Sequence, residues 1–166
     1  VGAELEDRRM KEVSDAVGYP LVSAAQAIRA AFARLNAKRI ALLSPYPAWL
    51  TDACKDYWAA QNIDIVRTEH ITLPSSDTRG VYAVRTSSVL KACETLAGGD
   101  ADVLLLSGTG MPTLRALKPL RERLGIPVLS SNYCLAWMML DHLGLLQPND
   151  DDVSLLSGYE PALERL

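Results

Sequence analysis

Hydroxyl, amide and glycine residues follow three of the four apolar segments that the sequence predicts to be buried strands. They are Ser44, Pro45 and Tyr46 after the first segment, Ser107, Gly108, Thr109 and Gly110 after the third, and Ser130, Ser131 and Asn132 after the fourth. The carboxyl ends of parallel strands lie at one edge of a sheet, where helix N-termini present free N–H groups. Hydroxyls, a phenol and backbone N–H groups suit a carboxylate or an enolate and not a cation. The three turns therefore predict a site for a small anion.

Each turn also has a structural interpretation. Serine, asparagine and proline are common at helix N-termini, and glycine is common in tight turns, so one such turn alone is more often structural than functional. The glycines of residues 107–110 form neither GxGxxG nor GxxxxGK[ST]. No dinucleotide or nucleoside triphosphate is indicated by these motifs, and it is the recurrence of three turns at one edge that favours a site.

The cysteines and histidines do not have the spacing of metal ligands. The sequence has three cysteines and two histidines, all far apart, so we predict neither disulfides nor a metal site. Cys54 and Cys93 lie on predicted apolar helix faces, whereas Cys134 falls in the first turn of a predicted helix, where the helix dipole lowers a thiol pKa. Cys134 is thus a possible reactive thiol, although packing in the core is the favoured interpretation.

Apolar periodicity predicts an α/β fold, a parallel four-stranded sheet flanked by helices. An N-terminal charged helical stretch precedes an amphipathic helix after Ser23. Strands are then expected around IALLS, IDIVRTEHI, DVLLL and IPVLSS. Each strand is followed by a predicted helix. The first has Trp49, Leu50, Ala53, Cys54, Tyr57 and Trp58 on one face, and the second is capped by Thr86 or Ser87 and ends at Gly98 and Gly99. The third begins at Pro112 with Leu114, Leu117, Leu120 and Leu124 facing inward, and the fourth is capped by Asn132 and ends at Gly144.

Length and charge limit the classes of protein to consider. The 166 residues carry a formal net charge of −3 with no basic stripe, which disfavours a nucleic-acid partner. No apolar run reaches the roughly 20 residues of a membrane span, and no signal peptide is recognisable, so we expect a cytoplasmic protein without a membrane partner. We divide the chain into a helical segment (1–36), an α/β lobe (37–146) and a C-terminal tail (147–166).

Two long stretches of the sequence resemble a known family. GYPLVSAAQAIRAAFARLNAKRIALLSPYP, ADVLLLSGTGMPTLRALKPLRERLGIPVLSSN and the following LAW are similar to the aspartate/glutamate/hydantoin racemase superfamily, in the branch of maleate cis-trans isomerase and arylmalonate decarboxylase. The resemblance covers about residues 18–144. It implies two similar α/β lobes with a cofactor-independent site between them, in which a cysteine acts beside a substrate carboxylate. The implied ligand is a small dicarboxylate, and a homo-oligomer is expected from the resemblance alone.

The resemblance also assigns roles to residues. Tyr46 matches the tyrosine that binds the substrate carboxylate, the backbone of Thr109 and Gly110 matches the oxyanion donors, and residues 130–132 match the motif that closes the pocket. Gly108 stands where family members commonly carry a cysteine, and glycine cannot shuttle a proton.

The chain begins after the position of the family's first lobe. We therefore expect that lobe to be absent from the given sequence, and we expect its cysteine to supply the thiol of an isomerase, racemase or decarboxylase. The alternative is a binder of small carboxylates that has lost this cysteine. A weaker alternative is an interaction module using the aromatic side chains of Trp49, Tyr57 and Trp58.

Overall fold

The computed structural model describes residues 2–73, 77–96, 99–146 and 155–156. Within them the strands are β1 (Arg39–Ser44), β2 (Asp64–His70), β3 (Val103–Leu106) and β4 (Val128–Ser130). The helices are α1 (Ala3–Val17), α2 (Ala24–Arg34), α3 (Ala48–Ala59), α4 (Thr86–Ala92), α5 (Leu114–Leu124) and α6 (Ser131–His142), with a short 3₁₀ helix over Thr78–Ala83. The predicted alternation of strands and helices is confirmed.

The four strands form one parallel sheet in the order β2-β1-β3-β4. Leu43 of β1 is in register with Leu106 of β3, and Leu106 is in register with Ser130 of β4. Because these three residues lie in one row across the sheet, the turns that follow them leave the same edge side by side. The register therefore brings together the three polar turns that the sequence analysis singled out.

Helices cover both faces of the sheet. In the sheet, β2 lies on one side of β1, whereas β3 and β4 lie on the other side. The connection from β1 to β2 therefore runs in the opposite direction to the connections from β2 to β3 and from β3 to β4. Because all these crossovers are right-handed, α3 covers one face of the sheet, and α4 and α5 cover the other. On the α3 side, α2 packs against α6, and the Phe32 ring meets the Trp58 ring edge-on at a centroid distance of 5.2 Å. The apolar strands β1, β3 and β4 are buried between the two layers.

The N-terminus of α2 is fixed by its own sequence. The Ser23 hydroxyl accepts a hydrogen bond from the Gln26 amide at 3.0 Å, and the Gln26 side chain accepts one from the Ser23 amide at 2.9 Å. This reciprocal pair is a capping box, which satisfies two N–H groups at the start of the helix. The helix predicted after Ser23 is confirmed, and it supports one wall of the pocket described below.

Several predicted helix details are wrong. Trp49 was expected on the inward face of α3 but is 71% exposed, and the buried place in that turn belongs to Thr51. The N-cap of α4 is Arg85 and not Thr86 or Ser87. The helix was predicted to end at Gly98 and Gly99 but ends at Ala92. Gly98 lies outside the described residues.

Helix α5 begins two residues after Pro112, with Thr113 as its N-cap, and the first-turn residue Leu114, predicted to face inward, is exposed. In each of these helices the face that meets the sheet, and not the local pattern, decides which residue is buried.

The predicted C-terminal tail, residues 147–166, falls outside the described residues except for Leu155 and Leu156. These two leucines are buried, and the Leu156 amide donates to the Tyr133 hydroxyl of α6 at 2.9 Å. These two residues of the predicted tail therefore pack into the core. Among the described helices, none is both long and apolar enough to cross a membrane.

Candidate functional site

A pocket of about 350 Å³ opens beside the carboxyl edge of the sheet on the α3 side. We call it the Tyr46 pocket. Its polar lining comes from the predicted turns, namely Tyr46, Ser107, Gly108, Thr109 and Ser131, and its other walls come from α2, α3 and β3 as Ala24, Ala25, Ile28, Cys54, Tyr57, Trp58 and Leu105. Each of the three strand ends singled out by the sequence analysis thus contributes at least one residue to this cavity.

Gly108 lies directly beside the Tyr46 hydroxyl in the pocket lining. A Cβ built on Gly108 would lie 3.3 Å from the Tyr46 hydroxyl oxygen and 3.1 Å from Cγ of Pro45. The φ of Gly108 is +108°, a conformation that L side chains rarely adopt. The turn therefore has a glycine conformation, and the absence of a side chain lets the Tyr46 phenol and Pro45 pack closely against it.

The phenol of Tyr46 is held in its neutral form. Partial burial, with smaller contributions from Tyr82 and Cys54, raises the pKa of Tyr46 above its ordinary value. At neutral pH the hydroxyl thus keeps its proton and can donate a hydrogen bond to an anion in the pocket. This is the chemistry expected of a residue that binds a carboxylate without adding a charge.

The turn after β1 is held by an internal network of hydrogen bonds. Ser44 and Thr51 are both buried, and their hydroxyl oxygens are 2.8 Å apart. The Tyr46 amide donates to the Ser44 hydroxyl at 3.2 Å, and the Thr51 hydroxyl donates to the Tyr46 carbonyl at 3.4 Å. Ser44 was predicted to bind substrate, but its hydroxyl is used within this turn and does not line the pocket.

The turn after β3 instead offers unused donors. The Gly108 amide donates to the Ser131 hydroxyl at 3.2 Å, which ties this turn to the start of α6. The amides of Thr109 and Gly110 donate to no acceptor among the residues that the structure describes. Thr109 also lines the pocket. Its backbone can therefore supply a free N–H group to a bound anion, as a structural oxyanion donor would.

Ser130 and Asn132 lie on the other side of this turn. They line a second cavity of about 560 Å³, together with Thr113, Arg115 and other residues of α5 and α6. The Asn132 side-chain amide donates to the Thr109 carbonyl at 2.8 Å. The N-cap of α6 is Ser130, which accepts from the Tyr133 amide at 3.3 Å, and not Asn132 as predicted. Asn132 thus supports the turn from behind.

The described thiols differ sharply in their access to the pocket. Cys134, the possible reactive thiol, is 0% exposed, and burial strongly raises its pKa, so desolvation outweighs the dipole of α6. Cys93 is also buried, and its pKa rises to about 12. Cys54 alone among the described cysteines borders the pocket, and burial raises its pKa as well. The burial of Cys134 agrees with its favoured placement in the core and not with the alternative of a reactive thiol.

Two side chains beside the pocket, those of Tyr57 and Ser23, form hydrogen bonds with helix α1. The Tyr57 hydroxyl donates to Glu6 at 2.6 Å, and the Ser23 hydroxyl donates to the other oxygen of Glu6 at 2.5 Å. Burial and the Glu6 carboxylate raise the pKa of Tyr57 to about 12. Tyr57 therefore remains neutral and donates its hydroxyl proton to Glu6 of α1, so it contributes its ring to the wall and no free donor to the site.

Three residues around the site were missed as functional candidates. Cys54 and Tyr57 were assigned to the core because they share a helical face with Trp58, although they are only partly buried and border the pocket. Thr51 was also overlooked. The feature that could have indicated its role is a hydroxyl residue in the first turns of α3, five residues after Tyr46. Within the described ranges no group of three or more His, Cys, Asp or Glu residues is close enough to hold a metal ion.

Comparison with known proteins gives a consistent result. The family model described as arylmalonate decarboxylase matches residues 1–155. A maleate isomerase of Geobacillus stearothermophilus is 32% identical over 140 residues, which are 84% of this chain and 55% of that protein. An arylmalonate decarboxylase of Bordetella bronchiseptica is 27% identical over 125 residues, 74% of this chain and 51% of that protein. The chain thus spans about half the length of these relatives.

Solved structures agree with the sequence relatives. The crystal structure of the maleate isomerase Iso from Pseudomonas putida S16 with maleate superposes with a TM-score of 0.82 at 25% identity, over 93% of this chain and 62% of that one. A Nocardia farcinica maleate cis-trans isomerase with a covalently bound succinylcysteine intermediate has a TM-score of 0.78 at 26% identity, over 87% and 60% of the two chains. From the family match and the shared fold, we conclude that the chain belongs to the arylmalonate decarboxylase family.

Proposed function

We propose that this chain carries the carboxylate-binding part of a cofactor-independent enzyme that isomerises or decarboxylates a small dicarboxylate of the maleate or arylmalonate type. The observation that carries the proposal is the approach of the Tyr46 hydroxyl to the empty side-chain position of Gly108, beside the free amide of Thr109. A neutral phenol and a residue whose backbone N–H has no acceptor among the described residues line the same small cavity. The names of the relatives supply the reaction class.

In this proposal the substrate carboxylate lies between the Tyr46 hydroxyl and the Thr109 amide. When a bond to the neighbouring carbon is made or broken, the electron pair moves into the carboxylate and forms an enediolate. Hydrogen-bond donors that are already oriented toward these oxygens stabilise that charge without reorganising. The raised pKa of Tyr46 supports this role because the phenol remains a donor at neutral pH.

For an isomerisation, a thiolate would add to one alkene carbon of the substrate, and the π electrons would move toward the carboxylate on the other carbon. Rotation about the resulting single bond, followed by loss of the thiolate, would return the alkene with the opposite geometry. Removal of carbon dioxide would produce the same carboxylate-stabilised charge. The groups on this chain bind and polarise the substrate in both reactions, and Gly108 supplies no thiol.

The test is a change in thermal stability on adding maleate, malonate and phenylmalonate. A ligand that binds only the folded protein at 100 times its Kd stabilises it by about 2.7 kcal/mol. We expect at least one of these dianions to raise Tm, and Tyr46→Phe to lower its affinity about tenfold, a factor that equals about 1.4 kcal/mol. Tyr19→Phe is the matched control, because Tyr19 is exposed and does not line the Tyr46 pocket.

A carboxylate binder without catalysis is the second candidate, and Gly108 favours it because no thiol stands in front of the phenol. Proton NMR of maleate incubated with the protein tests for catalysis directly. Appearance of fumarate supports the enzyme and excludes a pure binder, whereas binding without turnover is expected both of the binder and of an enzyme whose thiol is supplied from outside this chain. If no dianion raises Tm, both candidates fail.

A further inference from the structure

We infer that Thr51 is the positioning residue that sets the place of Tyr46 in the pocket. Its hydroxyl is near both Ser44, at the end of β1, and the Tyr46 carbonyl, at 2.8 and 3.4 Å respectively. Thr51 itself lies in the first turns of α3 and is 1% exposed. The consequence for substrate binding rests on the proposed function, whereas the effect on Tyr46 itself does not.

The directions of the hydrogen bonds follow from the donors available. The Tyr46 amide can only donate, and it does so to Ser44. The Tyr46 carbonyl can only accept, and it receives the Thr51 proton. The Ser44 hydroxyl is then left to donate to Thr51 across the 2.8 Å contact. Each hydroxyl donates once and accepts once. The ring of bonds therefore satisfies both hydroxyls and holds the backbone amide and the backbone carbonyl of Tyr46.

The burial of the Ser44 and Thr51 hydroxyls strengthens this ring of hydrogen bonds. Water does not reach Thr51 or Ser44, so no solvent molecule competes for their hydrogen bonds. The ring of His70 also approaches the Tyr46 carbonyl, with Nδ1 at 3.3 Å, but His70 is exposed and water competes for that bond. Of the two side chains that bind the carbonyl, Thr51 is the one that fixes it.

The position of the Tyr46 backbone decides where the phenol lies. The phenol lies so close to Gly108 that a Cβ there would be 3.3 Å from its hydroxyl oxygen. The backbone from which the side chain projects therefore sets how the ring meets this turn. Since misplacing a binding group by about 1 Å can cost as much as 100-fold in rate, a loss of this restraint is measurable.

The experiment compares Thr51→Val, which has a methyl group in place of the hydroxyl, with Thr51→Ser, which keeps the hydroxyl. Two readouts are used, both well below Tm: the Kd for the dianion that stabilises the wild type best, and the ¹⁹F spectrum of protein labelled with 3-fluorotyrosine. The Tyr46 signal is identified by its loss in Tyr46→Phe. We expect Thr51→Val to weaken binding about tenfold and to shift or broaden that signal alone, and Thr51→Ser to restore both.

A purely structural role for Thr51 predicts a lower Tm with an unchanged Kd and an unchanged Tyr46 signal, and that result overturns the inference. If the wild type binds no dianion, the proposed function fails, and the ¹⁹F signal still decides the role of Thr51. If Thr51→Val does not fold, Ser44→Ala replaces it, because it removes the acceptor of the Tyr46 amide from the same ring. An unshifted Tyr46 signal in folded Ser44→Ala likewise overturns the inference.

Discussion

The turns that follow β1 and β3 are neighbours at one edge of the sheet, yet they use their polar groups in opposite ways. In the turn after β1, the hydroxyl of Ser44 and the amide and carbonyl of Tyr46 are all occupied by internal hydrogen bonds. In the turn after β3, the amides of Thr109 and Gly110 have no acceptor among the described residues. One turn uses its polar groups in internal hydrogen bonds, and the other keeps backbone donors without a described acceptor beside the pocket.

The difference shows how similar sequences take different roles. Both turns begin with serine, at positions 44 and 107, and both lie one residue beyond the same row of the sheet. Ser44 is buried because α3 folds back over it and brings Thr51 to its hydroxyl. Ser107 has no such neighbour and lines the pocket. The packing of the next helix, and not the type of residue, decides which turn is a support.

The largest expected effect comes from filling the space at Gly108. Gly108→Ala places a Cβ at φ +108° and 3.1 Å from Pro45. A strained conformation costs about 1–3 kcal/mol, and overpacking adds a similar amount. Gly125→Ala is the matched control, since its φ is +68° and nothing lies within 4 Å of its Cβ.

We expect Gly108→Ala to lower the free energy of unfolding clearly more than Gly125→Ala in urea denaturation. Equal losses in the two variants would mean that the turn after β3 does not lie against Pro45 and Tyr46 in solution. Gly108→Cys extends the experiment because it has the same strain as Gly108→Ala and adds a thiol in front of the phenol. A gain of turnover with Cys and not with Ala would identify this space as the place of the reacting carbon.

A smaller effect is expected from removing the two serine hydroxyls. Ser44→Ala leaves the Tyr46 amide without its acceptor in a buried place, and we expect a loss of about 1–2 kcal/mol in the free energy of unfolding. Ser107→Ala removes a hydroxyl for which no hydrogen bond is found among the described residues, and we expect a change within about 0.5 kcal/mol. Equal losses in urea denaturation would remove the distinction between the two turns.

The mildest test uses the wild-type protein and its thiols. Cys54 borders the pocket, whereas Cys93 and Cys134 are buried, so iodoacetamide should modify Cys54 first in the native protein and all three cysteines in denaturant. Because burial raises the pKa of Cys54, the thiolate forms at higher pH, and the labelling rate should still increase above about pH 9.

Peptide mass mapping identifies the modified cysteine in each sample. A dianion bound near Tyr46 should slow the modification of Cys54 and leave the labelling in denaturant unchanged. Early modification of Cys134 in the native protein would contradict the placement of that residue in the core.

Much of the fold could be predicted because its signals are local. The continuous apolar runs of β1 and β3 and the capping box at Ser23 need no tertiary context to be recognised. The errors occur at helix ends and faces. Arg85 takes the N-cap of α4 in place of a neighbouring hydroxyl residue, and Trp49 turns outward, because the contact of each helix with the sheet overrides the local pattern.

The candidate site could be predicted in part. The turns containing Tyr46, Gly108 and Thr109 were found because the carboxyl ends of parallel strands always share one edge. The separation of Asn132 from the Tyr46 pocket could not be predicted, because it depends on which side of a turn a helix starts. Cys54 was missed because a half-buried pocket wall and a core face have the same helical spacing.

The sequence by itself determined that strands alternate with helices, that the sheet is parallel, and that three polar turns leave one edge, because strand periodicity and crossover handedness are properties of the local chain. The tertiary structure decided that the Tyr46 phenol faces Gly108, that Thr51 and Ser44 hold its backbone, and that Cys134 is buried. These facts depend on the angle at which each helix packs on the sheet, and that angle is set by the fit of many side chains at once.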